Sequence, residues 1–263
     1  MVKLCIAGAA GRMGQAIIND AILKGHQITG AIEAPSSPAV GKRLRELGLG
    51  SDTKILSANH IKLALQDADV FISFTAPMAD LVNIPVVADM GKRIILGTTG
   101  FNANDNRQVT EAMMGKVPAV FSPNYSIGVN ILFKLAEQLK AFPSGYDVSI
   151  SEIHHTAKKD APSGTAKKIE QIISQARNYN KTIYGREGIS PRQPGELEST
   201  VMRLGGVPGI HDIVVAGPNE MLRIEHTAFT RNVFAQGAVT AAEWINKQTQ
   251  PKIYSMADVL GLT

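Results

Sequence analysis

Short apolar runs alternate with glycine turns and amphipathic stretches through the first half of the chain, which predicts strands and helices in alternation. Val2–Ala7 is almost continuously apolar, as expected of a strand buried on both faces of a parallel sheet. Gly8–Gly14 then turns the chain into a helix over Gln15–Leu23, ended by Lys24-Gly25. Gln27–Ile32 reads as a second strand with Glu33 at its exit, and Pro35-Ser36-Ser37-Pro38 breaks the pattern. A helix is predicted at His60–Leu65 and strands at Asp69–Phe74, Arg93–Leu96 and Ala119–Phe121, with Ile84–Met90 mixed in character. Strand, glycine turn, helix and strand in repetition predict an α/β fold, a Rossmann-like doubly wound nucleotide-binding domain.

The texture changes near Ser122-Pro123-Asn124-Tyr125. A helix over Asn130–Lys140 is followed mainly by strands, at Asp147–Ile153, Glu198–Leu204, His211–Ala216 and Met221–His226. One helix, Ala166–Ala176, and a long loop-like stretch, Asn178–Glu196, lie among them, and a helix over Ala235–Ile245 closes the pattern before a short tail. The expected organisation is a dinucleotide-binding domain of residues 1–125 and 236–263. Residues 126–235 form an inserted α+β domain with a mixed sheet, for substrate binding and oligomerisation.

With 44% hydrophobic and 19% charged residues over 263 positions, the chain has the balance of a globular protein rather than a disordered one. The single cysteine, Cys5, excludes an internal disulfide and a cysteine-rich zinc site. No apolar run reaches the ~20 residues of a membrane helix, and no charged-then-apolar leader opens the chain, so the cytoplasm is the expected compartment. The net charge of +4 points to anionic partners. The lysines are scattered apart from one segment, which argues for small anions and against nucleic acid or a membrane surface.

Two segments carry chemistry. In Gly8-Ala9-Ala10-Gly11-Arg12-Met13-Gly14, glycines permit a tight turn and close approach of a pyrophosphate, which helix N–H groups then bind. Glu33, about 20 residues further on at the end of the second strand, is placed to accept from ribose hydroxyls. Phe74-Thr75-Ala76-Pro77 and Gly97-Thr98-Thr99-Gly100 leave later strands at their carboxyl ends, where ligands of open α/β sheets bind. The second segment runs from Ser151 to Ala166, through His154-His155, Lys158-Lys159 and Ser163-Gly164-Thr165. A histidine that titrates near neutrality, a fixed cation and a helix start together suit proton transfer on a bound anion. No metal is expected there: adjacent histidines on a strand point to opposite faces, and no nearby acid or cysteine completes a ligand set. His26 and His60 read as surface residues.

The segment SEIHHTAKKDAPSGTA, with GAAGRMG, FTAP, GTTG, SPNYSIGVN and IEHTAFTRNVFAQGAVTAAEWI, resembles the 4-hydroxy-tetrahydrodipicolinate reductase (dihydrodipicolinate reductase) family over most of the chain. The resemblance implies NAD(P)H-dependent reduction of a small dicarboxylate in diaminopimelate and lysine biosynthesis. It implies that His154 is the acid/base and Lys158 its proton-donating partner, with His155, Gly164 and Thr165 on the substrate. It implies cofactor contacts at Gly8, Ala9, Ala10, Gly11, Arg12, Met13, Glu33, Gly97, Thr98, Thr99, Ser122, Pro123, Asn124 and Tyr125, and a homotetramer joined through the sheets of the second domain. Ala34 follows Glu33 where family members that use NADPH well often carry a cation, so NADH is the expected cofactor, with NADPH use left open through Arg12, Ser36 or Lys42-Arg43. Thr156-Ala157 stands where a third basic residue is often found. The rival readings are another amino- or keto-acid dehydrogenase of similar build and a non-catalytic NAD(P)-sensing regulator.

Overall fold

The computed structural model describes residues 1–262. The strands in chain order are β1 (Lys3–Ala7), β2 (Gln27–Glu33), β3 (Ile55–Ser57), β4 (Val70–Ser73), β5 (Arg93–Leu96), β6 (Ala119–Phe121), β7 (Asp147–His154), β8 (Lys181–Ile183), β9 (Glu196–Arg203), β10 (Ile210–Ala216), β11 (Met221–Thr227) and β12 (Ile253–Tyr254). The helices are α1 (Arg12–Leu23), α2 (Ile61–Ala64), α3 (Pro77–Asp89), α4 (Ala103–Met113), α5 (Ile127–Gln138), α6 (Gly164–Arg177), α7 (Asn232–Ile245) and α8 (Met256–Val259). The chain divides into two compact units, one of Met1–Ser126 with the chain from Arg231 onward, the other Ile127–Thr230. The return to the first unit falls ahead of residue 236 because α7 begins at Asn232 and carries its first turn with it.

The first unit is built on a seven-stranded sheet, ordered β12-β6-β5-β4-β1-β2-β3, in which every pair is parallel. Strand alternation divides its core between two faces. Leu4 and Ile6 of β1 pack with Ile17 and Ile18 of α1 and with Ala238 and Val239 of α7. Cys5 and Ala7 face the opposite layer, with Ile61 of α2, Ile84 and Val87 of α3 and Val109 of α4. Each fully buried Ile or Leu contributes roughly 1.5–3 kcal/mol, so both faces drive the sheet to be covered. The strand order reverses between β1 and β4, the switch point at which open α/β sheets bind ligands beyond their strand ends.

The structure makes the mixed stretch Ile84–Met90 mostly helical. α3 buries Asp80, Asn83, Ile84, Val87 and Ala88, a regular helical stripe whose first two positions are polar. That polarity, with Pro85 inside the helix, hides the period from a hydropathy reading. No helix among the described residues is long and apolar enough to cross a membrane.

The second unit carries a five-stranded sheet ordered β11-β10-β7-β9-β8. β7 pairs antiparallel with β10 and parallel with β9, so the sheet is mixed. α5 and α6 cover one face through Leu132, Ala136, Ile169 and Ile173 against Val148, Ile150, Leu197 and Ile213. The stretch expected to be a loop, Asn178–Glu196, holds β8, paired parallel to β9. Arg186 ties it down, reaching Glu196 at 2.8 Å and Glu198 at 2.9 Å, and so does Arg192, which donates to the carbonyls of Val148 and Glu196.

Candidate active site

The glycine turn grows directly out of β1. Gly8 takes a φ of +68° and donates to the Ile32 carbonyl, and Gly11 closes the turn onto the Gly8 carbonyl. A Cβ at Gly14 would lie 2.1 Å from the Gly8 oxygen, so α1 can approach the strand this closely only with glycine there. Gly11 caps α1 without any side-chain hydrogen bond, which leaves the helix start to be served from outside. The Ala10 N–H donates to Glu33 Oε1 at 2.8 Å, so the strand-end acid is fixed against the turn.

Gly8, Gly11, Glu33, Ala34, Phe74 and Thr75 are among the residues lining a cavity of about 520 Å³. The glycine cradle and the carboxylate fit the diphosphate and ribose of a dinucleotide. Among the described residues, no lysine or arginine lines this cavity. Arg12 is exposed, and Arg43 is engaged by the side chain and carbonyl of Asp52.

The loops after β4 and β5 are joined by a buried carboxylate absent from the sequence expectations. Asp80 accepts from Ser73 Oγ at 2.6 Å and from Thr75 Oγ1 at 3.2 Å, and the Thr75 N–H donates to Thr98 Oγ1 at 2.9 Å. Burial raises the Asp80 carboxyl above the usual range, opposed by hydrogen bonds from Ser73, Thr98 and Thr75. A Cβ at Gly97 would fall 2.2 Å from the Phe74 ring, so a side chain there would displace that ring. Thr98, Thr99 and Pro123 line a second cavity, of about 280 Å³, with Gly100, Phe101, Asn106 and Phe121. Ser122 Oγ donates to the Asn124 carbonyl, and Asn124 Oδ1 accepts from the Ser126 N–H. Tyr125 is turned into the core, its hydroxyl against the carbonyls of Leu96 and Val120 and its ring edge-on to Phe74. Ala9 is also a core residue, and Met13 packs half-buried against the same core.

In the second unit, β7 alternates, and its inner face is Val148, Ile150, Glu152 and His154. The last two place a carboxylate and an imidazole where the strand leaves the core. Glu152 is fully buried. Its Oε1 accepts from the Ser163 N–H at 3.0 Å and pairs with Arg203 of β9 at 3.3 Å. Its Oε2 lies 3.3 Å from His154 Nδ1 and 3.6 Å from His211 Nε2 of β10. Burial works against ionisation of Glu152, but the nearby His211, the Ser163 N–H and the nearby His154 outweigh it and hold its pKa down to about 2. Burial pushes His154 down to about 4; Glu152 opposes the shift, and His211, Lys158 and Arg203 reinforce it. The pair is therefore a carboxylate beside a neutral imidazole at pH 7.

Around this pair the remaining expected residues take their places. His155, beyond the strand end, is half-buried, and Lys158 Nζ pairs with Asp160 at 2.8 Å. Ser163 caps α6, accepting from the Ala166 N–H, so Gly164 and Thr165 open that helix. Two expectations are corrected. An acid does accompany the histidines: ligand atoms of Glu152, His154 and His211 lie within 4.8 Å of one another. The Arg203 guanidinium already answers the carboxylate, so the set reads as an acid–base group with its own cation. His26 is not a free surface residue; it accepts from the Val2 N–H and meets Glu243 of α7 at 2.8 Å. His60 is exposed, and His226 packs its ring against Gly128.

Glu152, Arg203 and Asp80 carry no role in the sequence reading, and His211 is left open there. For Glu152 a signal existed, since a residue two before His154 on a strand shares its face. For Arg203 and His211 none did, because pairing of β9 and β10 with β7 brings them in.

Residues 2–125 match the model of the dihydrodipicolinate reductase N-terminus and residues 128–260 that of its C-terminus. The chain is 41% identical over 269 residues to the 4-hydroxy-tetrahydrodipicolinate reductase of Methanosarcina barkeri and 38% identical over 267 residues to that of Geobacter sulfurreducens, covering all of both. A solved dihydrodipicolinate reductase from a Paenisporosarcina species, bound to dipicolinate, shares the fold with a TM-score of 0.74, 23% identity and 98% coverage of each chain. An amine dehydrogenase from Mycobacterium smegmatis shares it with a TM-score of 0.66 and 13% identity, over 97% of this chain and 95% of that one.

Proposed function

The chain belongs to the dihydrodipicolinate reductase family, and from that premise we propose that it reduces 4-hydroxy-tetrahydrodipicolinate to tetrahydrodipicolinate, a step toward diaminopimelate and lysine. The observation that carries the reading is the ionised, buried Glu152 set 3.3 Å from His154, beside Lys158 and the start of α6. A regulator that only bound a nucleotide would have no use for such an acid–base pair.

A bound nicotinamide supplies the hydride. His154 supplies the proton that the reduction consumes and regains one from solvent, and the 4-hydroxyl of the substrate leaves as water. Its imidazole, neutral without ligand, gains a proton more readily once a dicarboxylate brings negative charge beside it. Lys158, held by Asp160 without ligand, gives positive charge to the substrate and supports the proton transfer. His155 and the N-terminal turn of α6, at Gly164 and Thr165, hold the carboxylates.

Gly8, Ala9, Ala10, Gly11, Arg12 and Met13 carry the diphosphate, and Glu33 the adenosine ribose. Gly97, Thr98, Thr99, Ser122, Pro123 and Asn124 serve the nicotinamide end, with Tyr125 behind them in the core. NADH is the preferred cofactor in this reading, because the Glu33 carboxylate lines the cavity and would repel a 2′-phosphate. Self-association as a tetramer uses the second unit's sheet, where Met221 and Leu222 stand exposed on the edge strand β11.

The test is a coupled assay in which a dehydratase makes the substrate in situ from pyruvate and aspartate semialdehyde. NADH and NADPH are compared side by side. Turnover with a higher kcat/KM for NADH is expected; no turnover with either removes the assignment.

A further inference from the structure

We propose that Glu152 is a positioning residue that holds His154 as the Nδ1–H tautomer and so makes Nε2 the atom that gives and takes the proton. The proposal rests on the role assigned to His154 above.

Two polar atoms at the end of β7 are orphaned. Among the described residues, buried Glu152 Oε2 and buried His154 Nδ1 have no aligned hydrogen-bond partner, yet they lie 3.3 Å apart. A buried polar atom left unsatisfied is costly, and each is the nearest group able to satisfy the other. Without ligand such catalytic contacts are often poorly aligned and tighten when substrate binds. An ionised carboxylate only accepts, so the ring nitrogen that faces it carries the hydrogen. In the neutral ring Nε2 is then a bare acceptor, and in the charged ring it is the proton to be donated.

Glu152 is fixed from three other elements. Arg203 of β9 and the Ser163 N–H at the start of α6 occupy Oε1, and His211 of β10 approaches Oε2. With Oε1 engaged, Oε2 is the oxygen left for the imidazole. Gly209 guards the other edge of the ring: a Cβ there would lie 3.1 Å from Nε2. The chain thus carries no side chain where one would crowd that nitrogen.

The groups that act electrostatically on His154 are Glu152 on its own strand, His211 from β10, Arg203 from β9 and Lys158 from the following loop, itself paired with Asp160. Of these only Glu152 favours the charged imidazole. Removing its charge lowers the pKa of His154 and moves the limb of the kcat/KM profile set by His154 to lower pH.

The deciding measurement is the ¹⁵N spectrum of histidine-labelled full-length protein above pH 7, with His154 assigned by its loss in His154→Gln. The expected wild-type spectrum has a protonated Nδ1 and an unprotonated Nε2. In Glu152→Gln that tautomer gives way to a mixture. Its kcat falls about 10- to 100-fold with the substrate KM within about threefold, as when a group that orients a reacting ligand is lost. Glu152→Asp restores part of the rate.

A wild type with Nε2 protonated overturns the proposal even if Glu152→Gln does not fold. An unchanged kcat and tautomer in a folded Glu152→Gln overturns it as well. A wild type with Nδ1 protonated but no turnover supports the tautomer assignment and overturns the functional reading instead.

Discussion

The turn after β1 and the cluster at the end of β7 are both suited to anion chemistry, and they are made from opposite materials. Around Gly8 the working groups belong to the backbone: Gly11 leaves the α1 start uncapped, and Gly14 lets the helix approach the strand. Around His154 they are chiefly side chains, drawn from β7, β9 and β10, joined by one backbone N–H at the start of α6. A backbone site is continuous in the chain and needs small residues at fixed intervals. A side-chain site needs strand register, because charge can be buried only where partners arrive from elsewhere. The first should therefore fail by crowding and the second by loss of charge.

The largest separation is expected from His154→Gln, which should lower turnover by ~10²–10⁴-fold. NADH binding, followed by fluorescence titration, should stay within about twofold. An equal loss of both would take His154 out of its catalytic role. Gly14→Ala should act in the reverse sense. Its Cβ would meet the Gly8 oxygen at 2.1 Å, and such overpacking costs about 1–3 kcal/mol. Thermal unfolding and NADH titration should both register the loss. Unchanged NADH binding would show that the turn does not carry the diphosphate.

Glu33→Ala should be milder. Removal of the ribose acceptor costs about 0.5–1.5 kcal/mol in NADH affinity, and NADPH, which shares only the released Ala10 N–H of the turn, should lose less. A parallel loss for both nucleotides would contradict the assigned preference.

Stability against pH probes the side-chain cluster. His154 has a pKa of about 4 in the fold, below its ordinary 6.5, so the unfolded chain takes up the proton first. Its contribution is present above pH 6.5 and is lost as pH falls toward 4. Glu152, held at about 2 against an ordinary 4.5, adds a second loss below pH 4.5. Melting temperature should therefore decline in two stages on acidification, and His154→Gln should diminish the upper one, to which His226, also pushed down by burial, contributes.

The two regions also differed in how far they could be read from the chain. Gly8-Ala9-Ala10-Gly11 and Glu33 were legible because glycine geometry and the length of a strand–helix–strand unit are local properties. Lys158 and Ser163-Gly164-Thr165 stood out by composition. Arg203 and His211 did not, since their place beside Glu152 depends on which strands neighbour β7 and in what register. Asp80 was hidden for a related reason. A carboxylate on the buried stripe of α3 looks like a break in the helix until Ser73 and Thr75 are seen to bond it.

What the sequence by itself determined was the alternating pattern of the first unit, the glycine turn with its acid, and the strand that leads into His154. These follow from backbone sterics and hydrophobic period, which act over a few residues. Only the tertiary structure decided that Glu152 is ionised and buried, that Arg203 and His211 attend it, and that His154 is neutral. Burial and charge are set by every neighbour at once, and those neighbours are far apart along the chain.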